Sequence, residues 1–84
     1  MMQELTVYTR RGCHLCSDMM QALERLHHEL GFSYTAVDID NDPDLHRRYD
    51  RRVPVLAGAD REICEYFLDE QRLRGYCAGL PGRL

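Results

Sequence analysis

Within the first forty residues the hydrophobic period changes from two to about 3.6 and back to two, and that order admits few folds. Leu5-Thr6-Val7-Tyr8-Thr9 alternates and is rich in β-branched and aromatic residues, the pattern of a strand. Gly12 interrupts it. Leu15, Met19, Leu23, Leu26 and Leu30 then recur at steps of four, four, three and four, which traces one stripe of a helix. Gly31 suits the C-terminal cap of that helix, and Phe32 to Ile39 returns to a strand pattern. A strand, a helix and a strand at this spacing make a parallel pair with a right-handed crossover.

The rest of the chain adds to this unit. Asp42 can accept from first-turn amides and Pro43 suits the first helical position, so a short helix opens there, with Leu45 and Tyr49 facing inward. Val53-Pro54-Val55-Leu56 reads as a short apolar strand, Gly58 marks a turn, and Ile63, with Tyr66 or Phe67 beyond it, marks a fourth strand. Asp69 caps a last helix that carries Leu73, Tyr76 and Cys77 and ends near Gly79. The order β-α-β-α-β-β-α predicts an α/β fold in three layers. A four-stranded mixed sheet has helices on both faces, and its last two strands, joined by a tight turn, are antiparallel.

Eighty-four residues make one domain, 1–84. A chain this size buries only about 60–65% of its unfolded surface, so chemistry is expected at a surface edge, with no bulky buried cofactor. Small size and modest apolar content point to a monomer. No stretch approaches the ~18 apolar residues of a membrane span, and Met1-Met2-Gln3-Glu4 has no basic or apolar leader region. The expectation is a cytoplasmic protein with no membrane partner, whose thiols are kept reduced. All eleven basic residues are Arg, yet the net charge is −3, which argues against nucleic acid as a partner. Four cysteines then point to redox or metal chemistry rather than to a disulfide framework.

Cys13-His14-Leu15-Cys16 lies where the first strand hands over to the first helix. A three-residue step puts both sulfurs on one face of the first turn, within reach of a disulfide. Unpaired amides and the positive helix end favour a thiolate at Cys13, and Arg10, Arg11 and a protonated His14 act in the same direction. Cys13 reads as the nucleophile and Cys16 as the resolving thiol. The competing reading is half of a zinc site. Zinc usually takes a second close pair, whereas Cys64 and Cys77 are far apart in sequence and His27-His28 are remote from Cys13. No metal is expected. For Val53-Pro54 the residues alone favour a trans proline at a strand edge over a cis turn.

Thr9-Arg10-Arg11-Gly12-Cys13-His14-Leu15-Cys16, Val37-Asp38-Ile39-Asp40 and Arg52-Val53-Pro54-Val55-Leu56 together resemble the glutaredoxin-like branch of the thioredoxin fold. The likeness is closest to its small bacterial group and spans nearly the whole chain. It implies a cis Pro54 beside the thiols and a Val53 whose backbone groups meet a substrate peptide or glutathione as an added strand would. It also places Arg10 near the nucleophile and a glutathione carboxylate. Three departures stand out. His14-Leu15 replaces the usual Pro-Tyr and introduces a titratable group. Cys64-Glu65-Tyr66-Phe67 stands where a Gly-Gly-x-Asp segment approaches glutathione, and thioredoxin's Trp is absent.

The resulting expectation is a thiol–disulfide oxidoreductase acting on protein disulfides or glutathione mixed disulfides. Cys13 and Cys16 are its catalytic pair, and Arg10, His14, Val53 and Pro54 are its substrate-binding residues. No cofactor is tightly bound, and glutathione serves as reductant or substrate. The alternative is a non-catalytic binding module with ligating or vestigial cysteines. Arg47-Arg48-Tyr49-Asp50-Arg51-Arg52 reads as the solvated face of a short helix, with Tyr49 turned inward. Asp38, Asp40, Asp42 and Asp44 read as caps and first-turn carboxylates, and His27 and His28 as surface or boundary positions on the helix. Cys64 and Cys77 read as small apolar residues, a second redox pair only if their Cα atoms lie within about 7 Å.

Overall fold

The computed structural model describes residues 3–78. Strand β1 (Gln3–Thr9) is followed by α1 (His14–Leu30), β2 (Phe32–Asp38), α2 (Pro43–Tyr49), β3 (Val55–Ala57), β4 (Glu62–Glu65) and α3 (Glu70–Cys77), the order read from the sequence. The sheet runs β2-β1-β3-β4. β1 and β2 are parallel from Gln3↔Phe32 to Thr9↔Asp38, while β3 is antiparallel to both β1 (Tyr8↔Val55) and β4 (Leu56↔Cys64).

Alternation along β1 divides the core into two. Leu5 and Val7 point to one face, where they meet Met19, Leu23 and Leu26 of α1, Leu73 of α3, and Phe32, Leu56 and Ile63 of the sheet. Tyr8 points to the other face and stacks on Tyr49 of α2 with ring centroids 4.4 Å apart, in a cluster with Ile39 and Val55. Helices α1 and α3 therefore cover one face and α2 the other. Each fully buried Leu, Val or Phe contributes roughly 1.5–3 kcal/mol.

Local signals fix the helix ends. Gly31 follows α1 at φ 73°, the left-handed region open to glycine, and its N–H reaches the His27 carbonyl at 3.0 Å. The Asp42 carboxylate accepts from the N–H groups of Asp44 and Leu45, and Asp69 does the same for Arg72. The α1 stripe is shifted from the expected one: Cys16, 2% exposed, takes the buried place, while Leu15 is only half-buried.

The strand ends also differ from the sequence pattern. β2 stops at Asp38 because its carboxylate accepts from the Asp40 N–H and turns the chain into a 3-10 turn, Ile39–Asn41. β3 begins at Val55, after a cis Val53–Pro54 peptide bond. β4 ends at Glu65, not at Tyr66 or Phe67. Tyr66 adopts φ 69° and the Phe67 N–H folds back to the Glu65 carbonyl at 2.8 Å, which leaves both aromatic rings exposed. The helix end expected near Gly79 and the leader position Met1-Met2 lie outside the described residues.

These terminations share a location. The last residues of β1, β2 and β4 and the first of β3 lie at one end of the sheet, where the loop bearing Cys13 emerges.

Candidate active site

Cys13 occupies the N-cap of the 17-residue helix α1, one place earlier than the first-turn position read from the spacing. Its backbone is extended (φ −97°, ψ 107°), and its sulfur accepts from the Cys16 N–H at 3.1 Å. In a reduced chain this is where a helix end best supports anionic sulfur, because the N–H is otherwise unpaired and the helix dipole adds partial positive charge. Cys13 and Cys16 are joined as a disulfide, with their Cα atoms 5.2 Å apart. Cys13 is half-buried at the rim and Cys16 faces the interior. An open depression of about 320 Å³ borders the pair, lined by Thr9, Arg10, Gly12, His14 and Met20 among others. His14, exposed, is the first residue of the helix.

Arg10 lines this depression, but its guanidinium is held by other groups. One nitrogen donates to Asp50 at 2.6 Å and the other to Asp40 at 3.0 Å, with His46 Nε2 at 3.3 Å. Those carboxylates push the Arg10 pKa up, so the group stays cationic while its charge is spent within the fold. The pairing was hidden in the sequence, where Asp40 reads as a cap. Only the parallel register Thr9↔Asp38 brings the turn after β2 beside Arg10.

The Val53–Pro54 segment precedes β3, the other neighbour of β1, and neither residue lines the depression at the cysteines. The antiparallel register ends at Tyr8↔Val55, so Val53 and Pro54 lie just beyond it, at the end of the sheet where β1 leads into Arg10. Pro54 is buried, and its carbonyl accepts from the Tyr66 N–H at 2.8 Å. Arg52 closes this side: it donates to Glu65 at 2.9 Å and pairs with Glu62, while its guanidinium lies 5.4 Å from the Tyr49 ring centroid. Glu65 therefore has an internal cation as partner. Sequence inspection also missed the pairing of Tyr66 with the proline loop, which the β3–β4 register alone reveals.

The glutaredoxin-like domain family (DUF836) matches this sequence across residues 4–77. The chain belongs to that family. The solution structure of protein Ne2328 from Nitrosomonas europaea superposes on this glutaredoxin-like chain with a TM-score of 0.83 at 40% identity, covering 90% of this chain and 92% of the other. An uncharacterized protein of Mycobacterium tuberculosis is 33% identical over 76 residues, 84% of this chain and 78% of its own length. The germline-specific thioredoxin Deadhead of Drosophila melanogaster shares the fold, with a TM-score of 0.60 at 21% identity over 95% of this chain and 82% of its own. Glutaredoxin-like membership and a mixed four-stranded thioredoxin-type sheet thus stand together, with the Cys13–Cys16 pair at the strand-to-helix junction.

The other sequence candidates fall outside this constellation. Cys64 on β4 and Cys77 on α3 are free and half-buried, and both pack against the larger core cluster. Burial pushes both thiols up from their ordinary pKa. Asp38 and Asp42 serve as caps, and Asp44 pairs with Arg47. His27 faces Glu24 at 3.5 Å and packs on His28. Among the described residues, no group of three or more His, Cys, Asp or Glu is arranged to hold a metal, and no helix is long and apolar enough to cross a membrane.

Proposed function

We propose that this chain is a thiol–disulfide oxidoreductase in which Cys13 is the nucleophile and Cys16 the resolving thiol. One observation carries the reading: Cys13 caps a 17-residue helix, and its sulfur lies within reach of both the Cys16 N–H and the Cys16 sulfur. In the reduced chain the Cys13 thiolate attacks one sulfur of a substrate disulfide. A mixed disulfide forms, and the other substrate sulfur leaves as a thiolate that takes a proton from water. Cys16 then loses its proton and attacks the Cys13 sulfur, closing the Cys13–Cys16 disulfide and releasing the second substrate thiol. Two electrons pass to the substrate. They are restored by a thiol donor, either two glutathione molecules or a protein dithiol.

The surrounding residues support this sequence. Cys13 lies at the rim, accessible to a substrate, whereas Cys16 is buried and meets only a sulfur already bonded to Cys13. Among the described residues, the Val53 N–H and C=O make no hydrogen bond, so this segment has backbone groups to offer an extended substrate, with Pro54 fixing its conformation. His14 borders the depression and Arg10 forms its wall. Substrates are protein disulfides or glutathione mixed disulfides.

The test uses the reduced protein and two variants. Thiolate absorbance near ~240 nm is expected to titrate below the free-cysteine value of about 8.5 and to vanish in Cys13→Ser. Cys16→Ser is expected to accumulate the mixed disulfide with a small disulfide, seen as a mass increase on Cys13. An unshifted titration with no adduct in Cys16→Ser would sink the proposal.

A further inference from the structure

Tyr66 and Phe67 are the large hydrophobic residues left exposed among the described residues, at 40% and 70%. They sit at the sheet end that carries the disulfide. The Tyr66 N–H binds the Pro54 carbonyl, and its hydroxyl donates to the Arg51 carbonyl at 2.5 Å. Two strand spacings, about 10 Å, separate the end of β4 from the end of β1, a distance that three extended residues span. Phe67 also walls a shallow depression of about 570 Å³ that runs from β4 to the start of α3. The cations of this rim divide into two kinds. Arg10 and Arg52 are neutralised by Asp40, Asp50, Glu62 and Glu65. Arg11, two residues before Cys13, and Arg51, beside Tyr66, are exposed and form no ion pair among the described residues.

We propose that Phe67 and Arg51 determine specificity, selecting an extended protein segment whose disulfide-bonded cysteine has an apolar and an acidic side chain close by, in preference to glutathione. This rests on the disulfide exchange proposed above and names its substrate. The covalent steps and the electron count are those already given. Glutathione brings carboxylates for Arg51 but no apolar side chain for Phe67. A protein segment lying across Val53 brings both, and it covers aromatic surface that otherwise stays in water. Exposed Phe67 contributes little to the fold, so its truncation leaves a folded chain to assay.

The experiment measures kcat/KM of the reduced protein with four disulfides. They are oxidised glutathione, bis(2-hydroxyethyl) disulfide, and two disulfide-linked peptide homodimers of equal length, one with leucine and aspartate flanking the cysteine and one with serine and lysine. Variants are compared with the parent as ratios between substrates, which cancels the intrinsic reactivity of each. The leucine–aspartate peptide is expected to exceed oxidised glutathione. Phe67→Ser is expected to lower the ratio of that peptide to bis(2-hydroxyethyl) disulfide by about tenfold, the scale of one partly buried aromatic contact. Arg51→Glu is expected to shift preference from the leucine–aspartate to the serine–lysine peptide. Ratios that do not move while bis(2-hydroxyethyl) disulfide is exchanged, or a parent that prefers glutathione, overturn the inference and leave the exchange reading intact. No exchange with any of the four overturns both.

Discussion

Two kinds of sulfur occur in this chain, and position separates them more than chemistry does. Cys13 meets the amide end of α1, which stabilises negative charge, whereas Cys64 and Cys77 lie against the apolar cluster, where burial raises their pKa and keeps them protonated. Alkylation of the reduced protein with iodoacetamide near neutral pH, followed by peptide mass mapping, should therefore label Cys13 first. Cys64 and Cys77 should trail by about tenfold or more, since only the thiolate reacts and one pKa unit is a tenfold change in its fraction. Equal labelling of Cys64 and Cys13 would contradict the placement. The junction that carries Cys13 and Cys16 was legible at this scale because a strand, a glycine and two cysteines three residues apart encode it locally. The ion pairs of Arg10 were not legible. Asp40 and Asp50 lie 30 and 40 residues away, and nothing local distinguishes Asp40 from a cap or Asp50 from the solvated face of its helix.

Helices and strands differed in how openly the sequence marked their ends. Gly31, Asp42 and Asp69 act through neighbours within a turn, so the helix limits could be read directly. The ends of β3 and β4 depend on pairing across strands, and there Tyr66 left the expected strand for φ 69°. The β3–β4 turn shows how far such coupling reaches. Tyr76 of α3 accepts from the Ala59 N–H at 3.2 Å, donates to Asp60 at 2.9 Å, and lies under the Arg61 guanidinium. A methyl group built on Gly58 would run into the Tyr76 ring and hydroxyl. Gly58→Ala must push the ring aside and break those contacts, which should destabilise the chain by about 1–3 kcal/mol in urea unfolding. In a Tyr76→Ala background the same change should cost less than half as much, because the obstacle is already gone. Equal costs in both backgrounds would mean that the turn and α3 are not coupled through this ring. For comparison, Asp42→Ala should lose about 1 kcal/mol, the ordinary value of a helix cap.

Across the described residues, the buried and half-buried tyrosines and cysteines whose ionisation is shifted act in one direction and give the fold a characteristic response to alkali. Burial is the main cause raising the pKa of Tyr49, Tyr76, Cys64 and Cys77, while the hydrogen bond to Glu24 leads for Tyr34. Each group is an acid that is neutral when protonated. Above its unfolded pKa the unfolded chain has released a proton that the folded chain still holds, so rising pH favours unfolding. The stability these groups contribute is thus fully present below about pH 8.5 for the cysteines and about pH 10 for the tyrosines, and it is lost as pH climbs through the higher folded values. Thermal unfolding of the oxidised protein, followed by circular dichroism, should give a Tm that starts to fall near pH 8.5 and falls faster beyond pH 10. Tyr49 is the informative position, since its ring is buried against Tyr8 and between α2 and the sheet. Tyr49→Phe should lower Tm near neutral pH only modestly, because little more than a hydroxyl is removed, and should make the descent above pH 10 shallower. If the variant and the parent descend in parallel, Tyr49 does not hold its proton more tightly in the folded chain, and its ring is not buried between α2 and the sheet as described.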